Sequence, residues 1–482
     1  MKEKGCKAAC LALCLLLCAG IFAGCGEQRS ESSPTPIPTE VLQQPTEKPA
    51  QAKYMKAGET YRILIWSNST EDKELEQEGI YGDMLRQRYN EMKEQYGVTP
   101  LYIAAPADWL GETMNSTYAG APITDLFHFG GPFTLPSLYT HGGERGAILE
   151  AVSDYDIDFS DPEYWNQTTQ AACTFGEKQY VIAPNAIGFG AVALNMVTIF
   201  NKNLITKSGY TARQLYDWSS NGEWTFDKFR EVALACTDLD SEIYGTAINE
   251  NLLLVSTMVA SNGSNLFVKK DGKDTFNLLD SKALAAVNFL VDMAQKDKSI
   301  SLSTSEEKIA FSTGHTAMLV TYANRLADTA VYRDMADDYG VLMPPKGPDA
   351  AEYVSDMNWF DGYLVMKNIM NPAGAVEFAS LFFKPVYHKN SDVQGDILTA
   401  QCESYRLDAN SIETLKQIPN VSHTTPYMMF WGARIGTSDD VSAMCNGHFP
   451  DFVDGSLSPD TYYASVENTV NAAVAAAMMM QE

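Results

Sequence analysis

The chain has 482 residues, which is more than one hydrophobic core normally holds, because single cores stop growing near ~250–300 residues. Hydrophobic residues make up 45% of the chain and charged residues 20%, which is typical of a globular protein and excludes a disordered or fibrous one. The 35 Lys and Arg against 61 Asp and Glu leave a formal net charge of −26, so nucleic acids and anionic lipid surfaces would repel the chain. We therefore expect a soluble acidic protein of at least two lobes that does not bind nucleic acid.

The N-terminus has the pattern of a secretion signal. Three lysines among the first seven residues precede an apolar run over residues 8–23, which is shorter than the ~20 residues that a membrane span needs. The run ends in FAGC, which resembles the lipobox of bacterial lipoproteins, where the cysteine receives a diacylglycerol and becomes the first mature residue. The sequence therefore predicts a signal peptide over residues 1–24 and lipidation of Cys25. An uncleaved N-terminal anchor is the alternative.

Residues 25–58 differ in composition from the rest of the chain. They are rich in Pro, Ser, Thr, Glu and Gln and contain few side chains that a core would bury. This composition predicts a disordered, partly polyproline-II tether. Four cysteines follow the tether, and none has the CxxC spacing of a metal or redox site, so we expect buried free thiols. These cysteines are Cys173, Cys236, Cys402 and Cys445.

Strand and helix patterns alternate after the tether. The sequence predicts strands over residues 61–66, 98–104 and 123–127, with a helix over 78–96 between the first two. This alternation favours βαβ units and a mostly parallel sheet, in which ligands bind beyond the carboxyl ends of the strands. The residues that this rule places on a candidate binding edge are Trp66, Asn68, His128 and Phe129.

The alternation continues in the second half of the chain. Strands are predicted over residues 179–184, 190–199 and 317–322, followed by an extended segment over 339–345. Thr225 precedes an apolar pattern of helical period and is expected to cap that helix. Four tryptophans lie in helical or helix-leading stretches, so we expect them to serve packing: Trp109, Trp165, Trp218 and Trp224.

Six short sequence blocks follow one another in a characteristic order over residues 60–385. They are the opening strand with Trp66, NMVTIFNKNLITKSGY, EWTFDKFREVALAC, AFSTGHTAMLV, YGVLMPPKGP and GYLVMKNIMNPAGAVEFASLFF. Each block alone mostly reflects capping and packing. Their order resembles that of the extracellular solute-binding proteins of carbohydrate ABC transporters, the family that includes maltose-binding protein.

The resemblance implies an α/β fold of the type II periplasmic-binding-protein-like kind, with two lobes, hinge crossovers and a central ligand cleft. The chain would cross between the lobes near residues 186–190, 346–353 and 396–401. A ligand that touches both lobes would then stabilise a closed form. The expected bounds are 59–187 and 354–398 for lobe one, and 188–350 and 399–482 for lobe two.

A sugar presents apolar C–H faces and hydroxyl groups, so its site needs aromatic platforms and polar side chains that pair the buried hydroxyls. Trp66 ends the first strand and could stack on a sugar or cap the core. The resemblance implies a stacking role for Trp431 and a cleft position for Tyr322. Asp125 and Arg325 are further polar candidates. The ligand-binding residues that we predict are Trp66, Asn68, His128, Tyr322, Asn324, Trp359, Asp361 and Trp431.

The resemblance implies a monomeric receptor, lipid-anchored on the outer face of the bacterial cytoplasmic membrane. It would hand a carbohydrate, expected to be an oligosaccharide, to an ABC transporter permease, with no cofactor, no metal ion and no enzymatic activity. The nucleophile-elbow, Walker and HExxH motifs do not occur in the sequence. One alternative is a receptor for a non-sugar solute. Another is a surface glycoside hydrolase or adhesin, because a chain so rich in Asp and Glu could supply the pair of carboxylates that glycoside hydrolysis uses.

Overall fold

The fold is described from a computed structural model. The described residues are 51–65, 80–130, 148–185 apart from 163 and 176, 195–248, 253–302, 307–327, 332–357 apart from 333 and 334, 361–384, 399–424 apart from 400, 401 and 404, and 439–479 apart from 447. The predicted signal peptide, Cys25 and the tether up to residue 50 lie outside this set. So do the predicted binding residues Trp66, Asn68, Trp359 and Trp431.

Strands and helices alternate along most of the described chain. The strands are Thr60–Ile65 (β1), Thr99–Ala104 (β2), Leu126–Gly130 (β3), Thr174–Phe175 (β4), Lys178–Gln179 (β5), Val181–Ile182 (β6), Met196–Asn201 (β7), Tyr244–Ala247 (β8), Phe267–Lys270 (β9), Lys273–Phe276 (β10), Ile300–Ser301 (β11), Thr316–Tyr322 (β12), Tyr339–Leu342 (β13), Ser355–Met357 (β14), Asp361–Val365 (β15) and Ser422–Thr424 (β16). The helices are Ile80–Gln95 (α1), Trp109–Tyr118 (α2), Gln167–Ala172 (α3), Lys202–Lys207 (α4), Ala212–Ser220 (α5), Phe226–Cys236 (α6), Leu253–Ser261 (α7), Ser281–Gln295 (α8), Glu307–Ser312 (α9), Pro372–Phe382 (α10), Ala409–Val421 (α11), Val441–Asn446 (α12), Phe449–Asp454 (α13) and Pro459–Met479 (α14).

Two five-stranded sheets organise these elements. The first sheet has the order β2-β1-β3-β15-β6, and the second has the order β11-β8-β12-β7-β13. In the first sheet β1 is parallel to β2 and β3, whereas β15 is antiparallel to β3 and β6. In the second sheet β8 is parallel to β11 and β12, whereas β7 is antiparallel to β12 and β13. The predicted α/β class is confirmed, but the expectation of a mostly parallel sheet is wrong, because two of the four strand pairings in each sheet are antiparallel.

Most predicted elements are observed within a few residues of their expected bounds, but β3 begins later than predicted. The sequence indicated a strand from residue 123, and the strand begins at Leu126. The side chains just before it are engaged with β1: Asp125 accepts hydrogen bonds from the backbone N–H of Arg62 at 2.8 Å and from its Nε at 2.9 Å. The hydroxyl of Thr124 donates to the carbonyl of Arg62 at 3.0 Å. These side-chain bonds add to the backbone bond from the N–H of Asp125 to the carbonyl of Arg62 at 3.1 Å.

The core of the second sheet has helices on both faces, which explains why β7, β12 and β13 are buried along their whole length. Side chains alternate along β7, so Met196 and Phe200 join the cluster that contains residues of α5, α6 and α8. Val197 and Ile199 join a second cluster that contains residues of α11. The predicted cap is also observed, since the hydroxyl of Thr225 accepts from the N–H of the third residue of α6.

The tryptophans and cysteines of the described chain serve packing, as predicted. Trp165 and Trp224 are buried, whereas Trp109 and Trp218 are half-buried against the same core. The four described cysteines are buried free thiols, and burial raises the pKa of each of them above its usual value. Among the described helices, none is long and apolar enough to cross a membrane.

The N-terminal strap, residues 53–55, is bound to α10 by one carboxylate. Glu377 is only 8% exposed, and it accepts hydrogen bonds from the backbone N–H groups of Lys53, Tyr54 and Met55 at 2.6, 2.7 and 2.7 Å. The side-chain amide of Asn371 donates to the carbonyl of Tyr54 at 3.0 Å. Charge-assisted bonds of this length are among the stronger hydrogen bonds in proteins. They fix the place at which the chain joins the first sheet and its helices.

We expect Glu377→Gln to destabilise the fold by about 2 kcal/mol. The amide of Gln has only one accepting oxygen, so it leaves some of the three backbone N–H groups without a hydrogen-bond acceptor. Urea unfolding measures the change. Glu413→Gln is the matched control on α11, where the Glu413 side chain is 66% exposed, and its effect should stay within ~0.5 kcal/mol. Equal unfolding midpoints for the two variants would contradict the anchoring role of Glu377.

Candidate functional site

The first candidate edge is formed by the carboxyl ends of β1, β2 and β3. Because these strands are parallel, their last residues meet on one side of the first sheet. The antiparallel strand β15 begins there, with Asp361 opposite Gly130 and Tyr363 opposite His128. The sheet therefore brings two predicted residues, His128 and Asp361, to the same edge. Only the backbone of Asp361 is described.

His128 is held by an aromatic stack. Its ring is half-buried and lies 4.8 Å from the ring of Tyr363, with an angle of 20° between the planes. Tyr363 in turn stacks on Phe383, which follows α10, at 3.4 Å and 10°. The imidazole is thus fixed in orientation by packing, and the residue is only half-buried.

Two further aromatic residues extend this edge. The sequence did not single out Tyr363, because its place beside His128 depends on the pairing of β15 with β3, which are more than 200 residues apart in the chain. Trp109, assigned to packing, begins α2 at the carboxyl end of β2 and stacks on Phe127 at 5.6 Å and 28°. Asp108 caps this helix through the N–H of Gly111.

The second candidate edge is formed by the carboxyl ends of β8, β11, β12 and β13 and by the start of β7. Tyr322 is the last residue of β12 and lies opposite Met196. It is only 7% exposed, so its ring belongs largely to the core. Asn324 follows in a short 3-10 turn, Ala323–Ala327, and is exposed. At this edge the polar candidate is therefore accessible, and the aromatic one is mostly buried.

The two edges are joined by a short stretch of chain. Asn195, which precedes β7, forms an antiparallel bridge with Met357, the last residue of β14. Asp361 begins β15 only four residues later, and four extended residues span at most ~14 Å. The end of β12 and the end of β3 therefore lie on the same side of the protein, near the connection from one sheet to the other.

Asp125, a polar candidate, has a structural role instead. Its carboxylate forms a salt bridge with Arg62 at 2.8 Å, and Asp125 is buried. The hydrogen bond to this carboxylate raises the pKa of the Arg62 guanidinium above its usual value. Within the described part of the chain, no three His, Cys, Asp or Glu side chains are grouped as metal ligands.

A separate cavity of about 260 Å³ lies at the opposite end of β7. Asp408 forms a salt bridge with Lys202 at 2.8 Å and accepts from the hydroxyl of Tyr216 at 3.0 Å. Burial, the largest influence, raises the pKa of Asp408, but Lys202 and the N–H of Ser411 outweigh it and lower the pKa below its usual value. These groups pair with one another. The cavity is lined by Lys202, Ala212, Arg213, Tyr216, Asp217, Asp408 and Asn410.

Comparisons with known proteins identify the fold. Residues 177–389 match the family model of bacterial extracellular solute-binding proteins. A cyclic alpha-maltosyl-1,6-maltose binding protein from Arthrobacter globiformis matches with a TM-score of 0.63 and 14% identity, over 86% of this chain and 98% of its own. An ABC substrate-binding protein from Listeria monocytogenes in complex with cycloalternan matches with a TM-score of 0.61 and 18% identity, over 87% and 99%.

A third solved structure has a different ligand. UgpB from Mycobacterium tuberculosis, in complex with glycerophosphocholine, matches with a TM-score of 0.60 and 15% identity, over 87% of this chain and 99% of its own. No curated protein sequence matches the chain significantly. The resemblance to extracellular solute-binding proteins that the sequence indicates is confirmed, and so is the two-sheet fold of these binding proteins.

Proposed function

We propose that this protein is an extracytoplasmic solute-binding protein that captures an oligosaccharide between its two lobes. The observation that carries the proposal is that the two candidate edges lie close together. They must do so because Asp361, at the start of β15, comes only four residues after Met357, at the end of β14. A ligand held there touches both sheets. Its binding energy then favours the closed arrangement over the open one, because only the closed form makes both sets of contacts.

The chemistry of the two edges suits a polyhydroxylated ligand. At the first edge, His128 offers a fixed imidazole beside the flat ring of Tyr363. At the second edge, Asn324 offers an exposed amide that can both donate and accept. We infer that these residues, with the predicted Trp66 and Trp431 as stacking platforms, contact the sugar.

Several solved structures that share the fold are described with oligosaccharides, and one from Thermotoga lettingae is bound with the single sugar alpha-D-tagatose. The Listeria protein holds cycloalternan, the Arthrobacter protein is described as binding cyclic alpha-maltosyl-1,6-maltose, and a cyclo/maltodextrin-binding protein holds maltotetraose. All three are glucose oligomers. We propose a ligand of this class for the present chain, bound without chemical conversion.

The remaining parts of the proposal concern delivery. We propose that Cys25 carries a lipid that anchors the protein to the outer face of the membrane, and that residues 25–58 form the tether. The folded body, acting as a monomer, passes its ligand to an ABC transporter permease. We place lobe one at residues 59–187 and 354–398, and lobe two at 188–350 and 399–482.

A non-sugar ligand is the second candidate. UgpB shares the fold at a similar TM-score and is in complex with glycerophosphocholine, so this scaffold also accepts a phosphodiester with hydroxyl groups. A ligand screen therefore needs both chemical classes.

We expect a glucose oligosaccharide at ~100 times its Kd to raise the free energy of unfolding by about 2.7 kcal/mol. A thermal-shift screen over mono- and oligosaccharides, glycerophosphodiesters, peptides and polyamines measures this. A shift with glycerophosphocholine and none with any sugar would overturn the carbohydrate assignment. Chromatography of the sugar after incubation adds a second readout, and shortened products would establish a glycoside hydrolase instead.

We expect His128→Ala and Asn324→Ala each to weaken binding of that sugar about tenfold, or ~1.4 kcal/mol, because each removes one hydrogen bond to a hydroxyl. Titration calorimetry gives the affinities. Asn410→Ala is the control, since Asn410 is an exposed amide at the cavity beyond the far end of β7. Three equal affinities would exclude the two edges as the site.

Lipidation of Cys25 is tested by Cys25→Ala, which we expect to release the protein from the membrane fraction. Membrane and soluble fractions are compared by immunoblotting with an antibody to the folded body. Cys173→Ala is the control, because Cys173 is buried and cannot carry a lipid. Unchanged membrane retention of the Cys25 variant would contradict the lipid anchor.

A further inference from the structure

Asn195 lies where three parts of the chain meet. It directly precedes β7 and is only 2% exposed. Its backbone bridges to Met357 of β14, and its carbonyl accepts from the N–H of Ala323 at 3.0 Å. The residue thus touches the segment that connects the two sheets and the end of β12, next to Tyr322.

The side chain of Asn195 adds two bonds that the backbone does not make. Its Nδ2 donates to the carbonyl of Ser355 in β14 at 3.2 Å and to the hydroxyl of Ser422 in β16 at 2.8 Å. β14 and β16 pair in parallel, with Ser355 opposite Ser422. One amide group therefore ties both strands of this pair to the start of β7.

The strand pair β14–β16 includes part of the connection between the two sheets. β14 lies in the chain between β13 of the second sheet and β15 of the first. Ser355 and Asp356 are fully buried, and the Ser355 hydroxyl donates to the carbonyl of Met196 at 2.7 Å. Buried hydrogen bonds are costly to leave unmade, so this bond and those of the Asn195 amide together hold the pair against the start of β7.

We propose that Asn195 is a positioning residue that couples ligand binding at the end of β12 to the strand pair β14–β16. The coupling to a ligand rests on the proposed function. The contacts of Asn195 with β14, β16 and Ala323 do not depend on it. The Asn195 side chain holds the pair in register with β7, and the backbone of the same residue holds Ala323. Movement at either place is transmitted to the other through this residue.

The opposite end of β7 offers a matched control. Asn201 is also a buried amide, and its Oδ1 accepts from the N–H groups of Asn203 and Leu204 at 2.9 and 3.0 Å. It caps α4, and its Nδ2 donates to the carboxylate of Asp337 at 2.9 Å. Asn195→Ala and Asn201→Ala thus each remove one buried amide from the same strand, at opposite ends.

The test compares the two variants by hydrogen–deuterium exchange of the full chain without ligand. We expect Asn195→Ala to speed exchange of residues 355–357 and 422–424 at least tenfold. Exchange at Ala323 should stay unchanged in that variant, because the carbonyl of residue 195 is retained. Asn201→Ala should leave both strands at the wild-type rate. Ser422→Ala, at an exposed position, should loosen β16 by a smaller factor while preserving the melting temperature.

The same variants are titrated with maltotetraose. We expect the affinity of Asn195→Ala to fall at least tenfold and that of Asn201→Ala to stay within twofold. Equal exchange of residues 355–357 in the Asn195 and Asn201 variants would overturn the proposal, because the effect would then be one of global stability. Failure of every sugar to bind the wild-type chain would contradict the proposed function, and the ligand-free exchange would still decide the role of Asn195.

Discussion

The direction in which the chain enters each sheet is the constraint on which the rest of the structure depends. β6 leaves the first sheet at its carboxyl edge, and β7 enters the second sheet at the carboxyl edge of β12 and β13. The return from β13 through β14 to β15 runs between the same two edges. A strand that enters at the carboxyl edge has to run against its neighbours, which is why β7 and β15 are antiparallel. β7 and β15 consequently begin beside the edges where ligands of parallel sheets bind.

The sequence predicts those parts of the fold that depend on local patterns of side chains. Strand and helix patterns depend on local side-chain periodicity, so β1, β2, β12 and α6 are found close to their expected bounds. The order of the six family blocks reflects the order of these elements, and the fold class follows from it. β3 is the exception: it begins at Leu126, after Thr124 and Asp125, whose side chains bond to Arg62 across the sheet.

The candidate site is less accessible to prediction from sequence because it depends on register and burial. His128 was expected at the edge, but the stack with Tyr363 requires the pairing of β15 with β3, which no local pattern encodes. Tyr322 was expected to face the ligand, whereas the core takes most of its surface. A polar residue such as Glu377 or Asn195 in an apolar stretch is a signal of buried hydrogen bonding, but its partners become visible only in three dimensions.

The two ends of the described chain are attached to different sheets. The N-terminal strap is bonded to α10, which packs on the first sheet through the stack of Phe378 on Tyr61. Asn471 of the C-terminal helix α14 accepts a hydrogen bond from the backbone N–H of Phe276 at 2.8 Å. Phe276 belongs to the core that contains residues of α6 and α8 on the second sheet. Rotation of one sheet against the other changes the separation of these ends. A pair of fluorescent proteins fused at the strap and after α14 would therefore report such a rotation as an optical signal, so the fold suits a genetically encoded sensor.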